Sequence, residues 1–208
     1  MAKKIFSLLI LCVSLTSNAQ TFLETFDSNS LEWTECTFDN DENIKSYIEK
    51  GVLVVHSERN TNIWTGEKSY STASSMCYMP IDIKKPFEIR TSLTYSETDS
   101  PFSIAFNLKD DGTYYRLFFI PESKKVFFQR VENREVVGGW VQGVLYPKLK
   151  KGEELEILIS GESQDLYVEI QRIPVFKIRY VTYQYQGFGF LTHGEQEIKV
   201  NSVEFKQL

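Results

Sequence analysis

The amino-acid sequence predicts an all-β protein, a sandwich of two antiparallel sheets. Three observations lead there. Apolar and polar residues alternate with period two along most of the chain. Turn signals built from Gly, Pro, Asp and Ser break these runs at short, even intervals. Beyond the N-terminal segment, no stretch holds a helical period.

The chain opens MAKKIFSLLILCVSLTSNAQ. Lys3 and Lys4 supply positive charge, and Ile5 to Leu15 form an apolar run shorter than the roughly 20 residues of a bilayer crossing. Ser17-Asn18-Ala19 presents the small residues of a cleavage site. A secretory signal peptide is therefore expected over residues 1–19, with a single domain over 20–208 that is exported to the periplasm or cell exterior. The rival reading is a lipid anchor at Cys12, which the bulky Leu11 before it disfavours. The formal net charge of −5 and the absence of a basic stripe argue against nucleic acid as a partner. No later apolar run is long enough for a transmembrane helix.

Each strand has its own signature. KSYIE and VLVVHSE flank Lys50-Gly51, the spacing of a hairpin. Phe87, Ile89, Leu93 and Tyr95 share one face of PFEIRTSLTY, with Glu88, Arg90, Ser92 and Thr94 on the other. Phe102, Ile104, Phe106 and Leu108 form the apolar set of the next run. Leu155, Ile157 and Ile159, then Leu166, Val168 and Ile170, repeat the pattern on either side of Gly161-Glu162-Ser163-Gln164.

TYYRLFFI and KVFFQRV differ from these, because they carry bulk on both faces. Tyr115, Leu117 and Phe119 take one side of the first, and Tyr114, Arg116 and Phe118 the other. Such strands are central and covered on both sides. In a two-sheet sandwich the second cover is either the protein's own loops or a ligand.

The order FDSNSLEW, YIEKGVLVV, PFEIRTSL, FSIAFNLKDDGTYYRLFF, KKGEELEILISG, DLYVEI and GFGFLTHGEQEIKVNSVEF resembles the concanavalin A-like lectin/glucanase superfamily. It is most similar to its small secreted bacterial members, and the likeness spans nearly all of residues 20–208. The resemblance implies a two-sheet jelly roll whose C-terminal strand pairs beside the N-terminal one. Ile198 and Val200 point inward before Asn201, but Val203 and Phe205 do so after it, so a bulge is expected at Asn201-Ser202. Gly187 and Gly189 would permit close strand packing, and His193 is expected in an exposed turn. A superfamily holding lectins, hydrolases and structural modules does not fix function.

Glucanases of the superfamily carry an E-x-D-x-x-E strand, whose period puts the acids on one face for nucleophilic and acid/base work. The nearest match is Glu97-Thr98-Asp99-Ser100-Pro101-Phe102, which lacks the final acid and has a strand-breaking proline. Glu154, Glu156 and Glu169 form a row of the kind found on a solvated sheet face. No catalytic residue is assigned. No cofactor is expected either, although Asp39, Asp41 and Glu42 could join a loose calcium cage. An EF-hand is excluded, since Ile44 and Lys50 replace its glycine and final glutamate. Cys36 and Cys77 are either bridged, as an oxidising compartment permits, or separate buried thiols.

Sugar binding needs aromatic faces to stack on pyranose C–H groups and polar side chains to bond hydroxyls. Tyr114, Arg116 and Gln129 stand on one face of the central strands, with Trp64 and Trp140 in flanking loops. The sequence therefore leads to a secreted, non-catalytic β-sandwich binding a glycan or another surface partner on the concave sheet. A glycoside-processing enzyme and a purely structural or protein-interaction domain remain the alternatives.

Overall fold

The computed structural model describes residues 20–34, 44–61, 68–70, 72–109, 112–133, 135–138, 144–146, 149–179 and 184–208. They contain strands and turns and no helix. The first strands are β1 (Thr21–Glu24), β2 (Ile44–Glu49), β3 (Val52–Ser57), β4 (Arg59–Thr61), β5 (Lys68–Tyr70) and β6 (Thr72–Tyr78). Then come β7 (Phe87–Tyr95), β8 (Phe102–Leu108), β9 (Tyr114–Ile120), β10 (Lys125–Glu132), β11 (Glu135–Gly138) and β12 (Val144–Leu145). The last are β13 (Leu155–Glu162), β14 (Asp165–Ile170), β15 (Ile173–Arg179), β16 (Gly187–His193) and β17 (Gln196–Gln207).

An eight-stranded sheet runs β15-β14-β13-β7-β17-β3-β2, with β1 also on β17. A seven-stranded sheet runs β11-β10-β9-β8-β16-β6, with β12 also on β10, and β4 and β5 form a separate pair. The described pairings are antiparallel. The inward residues of both sheets meet in one core, where Phe188 of β16 packs edge-on against Phe205 of β17 at 5.4 Å. Tyr95 of β7 stacks on Phe102 of β8 at 5.3 Å. Burying each such ring fully contributes roughly 2–3 kcal/mol.

The long C-terminal strand organises the first sheet. Its first half pairs with β3 and its second half with β1, Glu24 opposite Val203. Along β7 the register jumps between Val200 and Ser202, leaving Asn201 as the extra residue. That bulge restores the inward set, and Ile198, Val200, Val203 and Phe205 are all fully buried. The β2–β3 hairpin turns on Lys50 (φ 52°) and Gly51 (φ 74°), both left-handed as a two-residue I′ turn requires.

Glu24 explains much of FDSNSLEW. Its buried carboxylate accepts hydrogen bonds from Phe26 N (3.0 Å), Ser30 Oγ (2.7 Å) and Leu31 N (3.1 Å). These hold Phe26 at a left-handed φ of 59°, a conformation strained for an aromatic residue. Asn29 then brackets Trp33, accepting from its N–H and donating to its C=O, and Trp33 stacks on Phe190 at 5.6 Å. At the other end Gln196 holds the β7–β8 connection. Its Oε1 accepts from Ser96 N and Glu97 N, and its Nε2 donates to Glu97 O and Ser100 O.

One strand departs from its expected pattern. Asn107 takes a φ of 53° and the β8–β16 register shifts beside it, so Leu108 leaves the inward set and is only half-buried. The freed Asn107 Oδ1 accepts from Gln184 N and Tyr185 N, both at 2.8 Å.

Candidate functional site: the outer face of the seven-stranded sheet

Strand period decides what this face displays. Tyr115, Leu117 and Phe119 of β9 point into the core with Val126 and Phe128 of β10. Tyr114, Arg116 and Phe118 must then point away from it, as must Phe127 and Gln129; all five are half-buried. Register sets Arg116 directly opposite Gln129 and Phe118 opposite Phe127. On the other side Arg116 faces Ala105 and Phe118 faces Ser103, both of β8. Beyond them Gly189 faces Ala105 and Leu191 faces Ser103. Ala105, Val131 and Leu191 are buried on this side although they lie outside the inter-sheet core. The face is therefore not a plain solvated surface.

A polar chain crosses it. Arg116 Nε donates to Gln129 Oε1 at 2.8 Å, and the guanidinium carbon lies 4.4 Å from the centre of the Phe118 ring. Phe118 meets the His193 ring at 5.6 Å and 72°, edge to face. His193 Nε2 is 3.2 Å from Ser103 Oγ, and Nδ1 is 3.4 Å from Thr72 Oγ1. Burial, with the nearby Arg116 charge, lowers the His193 pKa from 6.5 to about 4. The imidazole is thus neutral at pH 7 and offers one donor and one acceptor. Burial also pushes the Arg116 pKa down, and the neighbouring Tyr114 hydroxyl opposes that.

No protein-family model and no curated protein matches the chain by sequence. Solved structures do match it. A β-glucanase of Bacillus licheniformis aligns with a TM-score of 0.63 at 8% identity, over 89% of this chain and 97% of that one. The carbohydrate recognition domain of Emp47p aligns at 0.61 and 12%, over 90% and 94%. The carbohydrate-binding module CBM66 of Bacillus subtilis aligns at 0.55 and 12%, over 82% and 94%. The chain has the concanavalin A-like jelly-roll fold. At these identities the likeness speaks for the fold alone.

Within the jelly roll, the expected site residues separate into two groups. Tyr114, Arg116 and Gln129 share one face, and Arg116 touches Gln129. Trp64 and Trp140 lie outside the described residues, as do Cys36, Asp39, Asp41 and Glu42. Cys77 is a buried free thiol whose pKa is raised by burial and by the Glu24 charge. No three His, Cys, Asp or Glu side chains among the described residues are grouped to hold a metal ion. No helix long and apolar enough to cross a membrane occurs among them either.

His193 corrects the sequence reading. It is not an exposed turn residue but the last residue of β16, paired with Thr72 and packed on Phe118. His-Gly-Glu looks like a turn, and the turn is present, but it begins one residue later at Gly194 (φ 75°). Phe118, Phe127 and Ser103 come from the consecutive strands β8, β9 and β10, and His193 joins them from β16, a strand distant in sequence. Period two alone offered only the first of these. The acidic candidates sit elsewhere. Glu97 lies in the β7–β8 connection and pairs with Lys151 at 3.1 Å. Glu154, Glu156 and Glu169 line an open depression on the eight-stranded sheet, where Glu154 accepts from Asn201 and Glu156 meets Arg172 at 3.8 Å.

Proposed function

We propose that this protein is an exported, non-catalytic β-sandwich that binds a glycan on the outer face of its seven-stranded sheet. The observation that carries the reading is the make-up of that face. Half-buried Tyr114, Phe118 and Phe127 stand beside Arg116, Gln129 and His193, and no described strand position on this side holds Asp or Glu. Rigid aromatic faces with a few directional polar groups are what a sugar ring needs. Glycoside hydrolysis in the usual two-carboxylate manner needs a facing pair of acids, which this face lacks among the described residues. The fold's occurrence in a carbohydrate-binding module and a carbohydrate recognition domain supports the binding reading. Its occurrence in β-glucanases keeps the enzymatic alternative in the test.

Isothermal titration against a panel of plant, bacterial and mucin-type oligosaccharides tests the proposal. Saturable binding to at least one, weakened tenfold or more by Phe118→Ala, supports it. Release of reducing sugar from the same panel would replace it with the enzymatic reading. Absence of binding to every member would leave a structural or protein-interaction domain. The export reading of residues 1–19 is tested separately, by whether the secreted chain begins at Gln20.

A further inference from the structure

We infer that the sugar taken by this face carries an anionic group, a carboxylate or a sulfate, and that Arg116 binds it. The inference rests on the glycan reading above and names the ligand class. The arginines contrast with one another. Arg90, Arg130, Arg172 and Arg179 are all more than half exposed, and each meets a carboxylate: Glu88, Glu132, Glu156 and Asp165 in turn. Arg116 is more buried than any of them, yet no carboxylate among the described residues pairs with it. Burying a charge is costly, so the usual order is the reverse, with the deeper cation the better paired.

The guanidinium is also held in place. Gln129 takes its Nε–H and Phe118 lies against it at 4.4 Å, so its position and plane are set before any ligand arrives. A pre-oriented guanidinium fork matches the geometry of a carboxylate or sulfate, and little side-chain entropy is lost on binding. Gln129 is neutral and cannot offset the charge. The cation–π contact with Phe118 attracts the guanidinium but leaves its net charge intact.

Charge is segregated in the same sense across the whole face. Lys125 points to this side as well, and no described strand position facing it holds Asp or Glu, although the chain carries a net charge of −5. The outer face of the eight-stranded sheet, by contrast, mixes Glu88, Arg90, Glu156, Glu169 and Glu204. Cations grouped on an otherwise acidic protein draw in anions.

The test compares acidic oligosaccharides with their neutral counterparts by calorimetric titration of the protein. One arm uses oligogalacturonate and its carboxyl-reduced form; the other uses a sulfated galactan oligosaccharide and its desulfated form. The parent is expected to bind the acidic member at least tenfold tighter in one arm, and the arm that responds names the group. Arg116→Gln should erase the preference, while Arg116→Lys, which keeps the charge but not the fork, should retain part of it. As a check that needs no variant, the acidic ligand should slow phenylglyoxal modification of Arg116 and its neutral counterpart should not. Equal or tighter binding of the neutral forms overturns the anionic class and leaves the glycan reading standing. A preference that survives Arg116→Gln overturns the role of Arg116. No binding to any of the four probes overturns the inference outright, and the broader neutral panel then decides the glycan reading by itself.

Discussion

Arg116 and Gln129 face each other across the β9–β10 hairpin, joined at 2.8 Å by a bond from Nε to Oε1. The Pro121–Lys124 turn fixes that register, and Phe118 completes the support from below. Gln129→Leu should therefore leave the fold intact and free the guanidinium to move. The expected result is a five- to twentyfold loss of affinity for any ligand that Phe118→Ala also weakens, read by titration calorimetry, with a stability change under about 1 kcal/mol for a half-buried polar group. Unchanged affinity would show that the positioning is immaterial.

Glu24→Ala should be among the most destabilising changes near the N-terminus. It leaves two backbone N–H groups and Ser30 without their charged acceptor, in a site almost closed to water. A loss of about 2–4 kcal/mol is expected, measured by urea unfolding. A loss below about 0.5 kcal/mol would mean that water replaces the carboxylate at no cost.

His193 gives the fold a pH dependence. Its pKa is 6.5 in the ordinary case and about 4 here, so the unfolded chain binds a proton that the folded one refuses between these values. Stability from this group is full above about pH 6.5, falls as pH drops toward 4, and is level below that. The contribution is on the order of 3 kcal/mol. Unfolding at pH 7 and pH 4.5 should show a smaller acid loss in His193→Gln than in the parent. Identical losses in the two would contradict the burial of the imidazole.

Gly189→Ala tests the packing of β16 on β6. An added Cβ would lie 2.6 Å from Ser75 O and 2.6 Å from Met76 Cγ, and backbone cannot yield as a side chain can. Destabilisation of about 1–3 kcal/mol is expected, with a matching fall in thermal midpoint.

The reactivity of Cys77 follows from burial. Its thiol is held well above its usual pKa and its side chain is closed to solvent, so iodoacetamide should leave it untouched in the folded protein. It should react on unfolding without reductant. Failure to label under those conditions would place it in a bridge.

Much of this architecture is legible in the sequence because period two and burial report the same thing. The inward sets of β7, β13 and β14 follow directly from alternation. The Asn201 bulge is legible because the apolar parity visibly switches there. The kink at Asn107 is not, since Leu108 continues the apolar spacing while the backbone turns left-handed before it. β6 and β15 are hard to see for a related reason. Small polar residues alternate in TASSMCY, and Pro174 interrupts IPVFKIR. For the site, the hairpin alone places Arg116 and Gln129 on one face. Ser103 comes from β8, the strand just before β9, but His193 arrives from β16, and no local pattern encodes that neighbour.

Ligand is expected on the outer face of the seven-stranded sheet. Hydrogen-exchange mass spectrometry with and without a saturating oligosaccharide from the binding panel tests it most directly. Slower exchange is expected in peptides covering Tyr114–Ile120 and Lys125–Glu132, with β13 and β14 unchanged. Protection confined to β13, β14 and the Glu154–Glu156–Glu169 depression, with β9 and β10 unaffected, would contradict it.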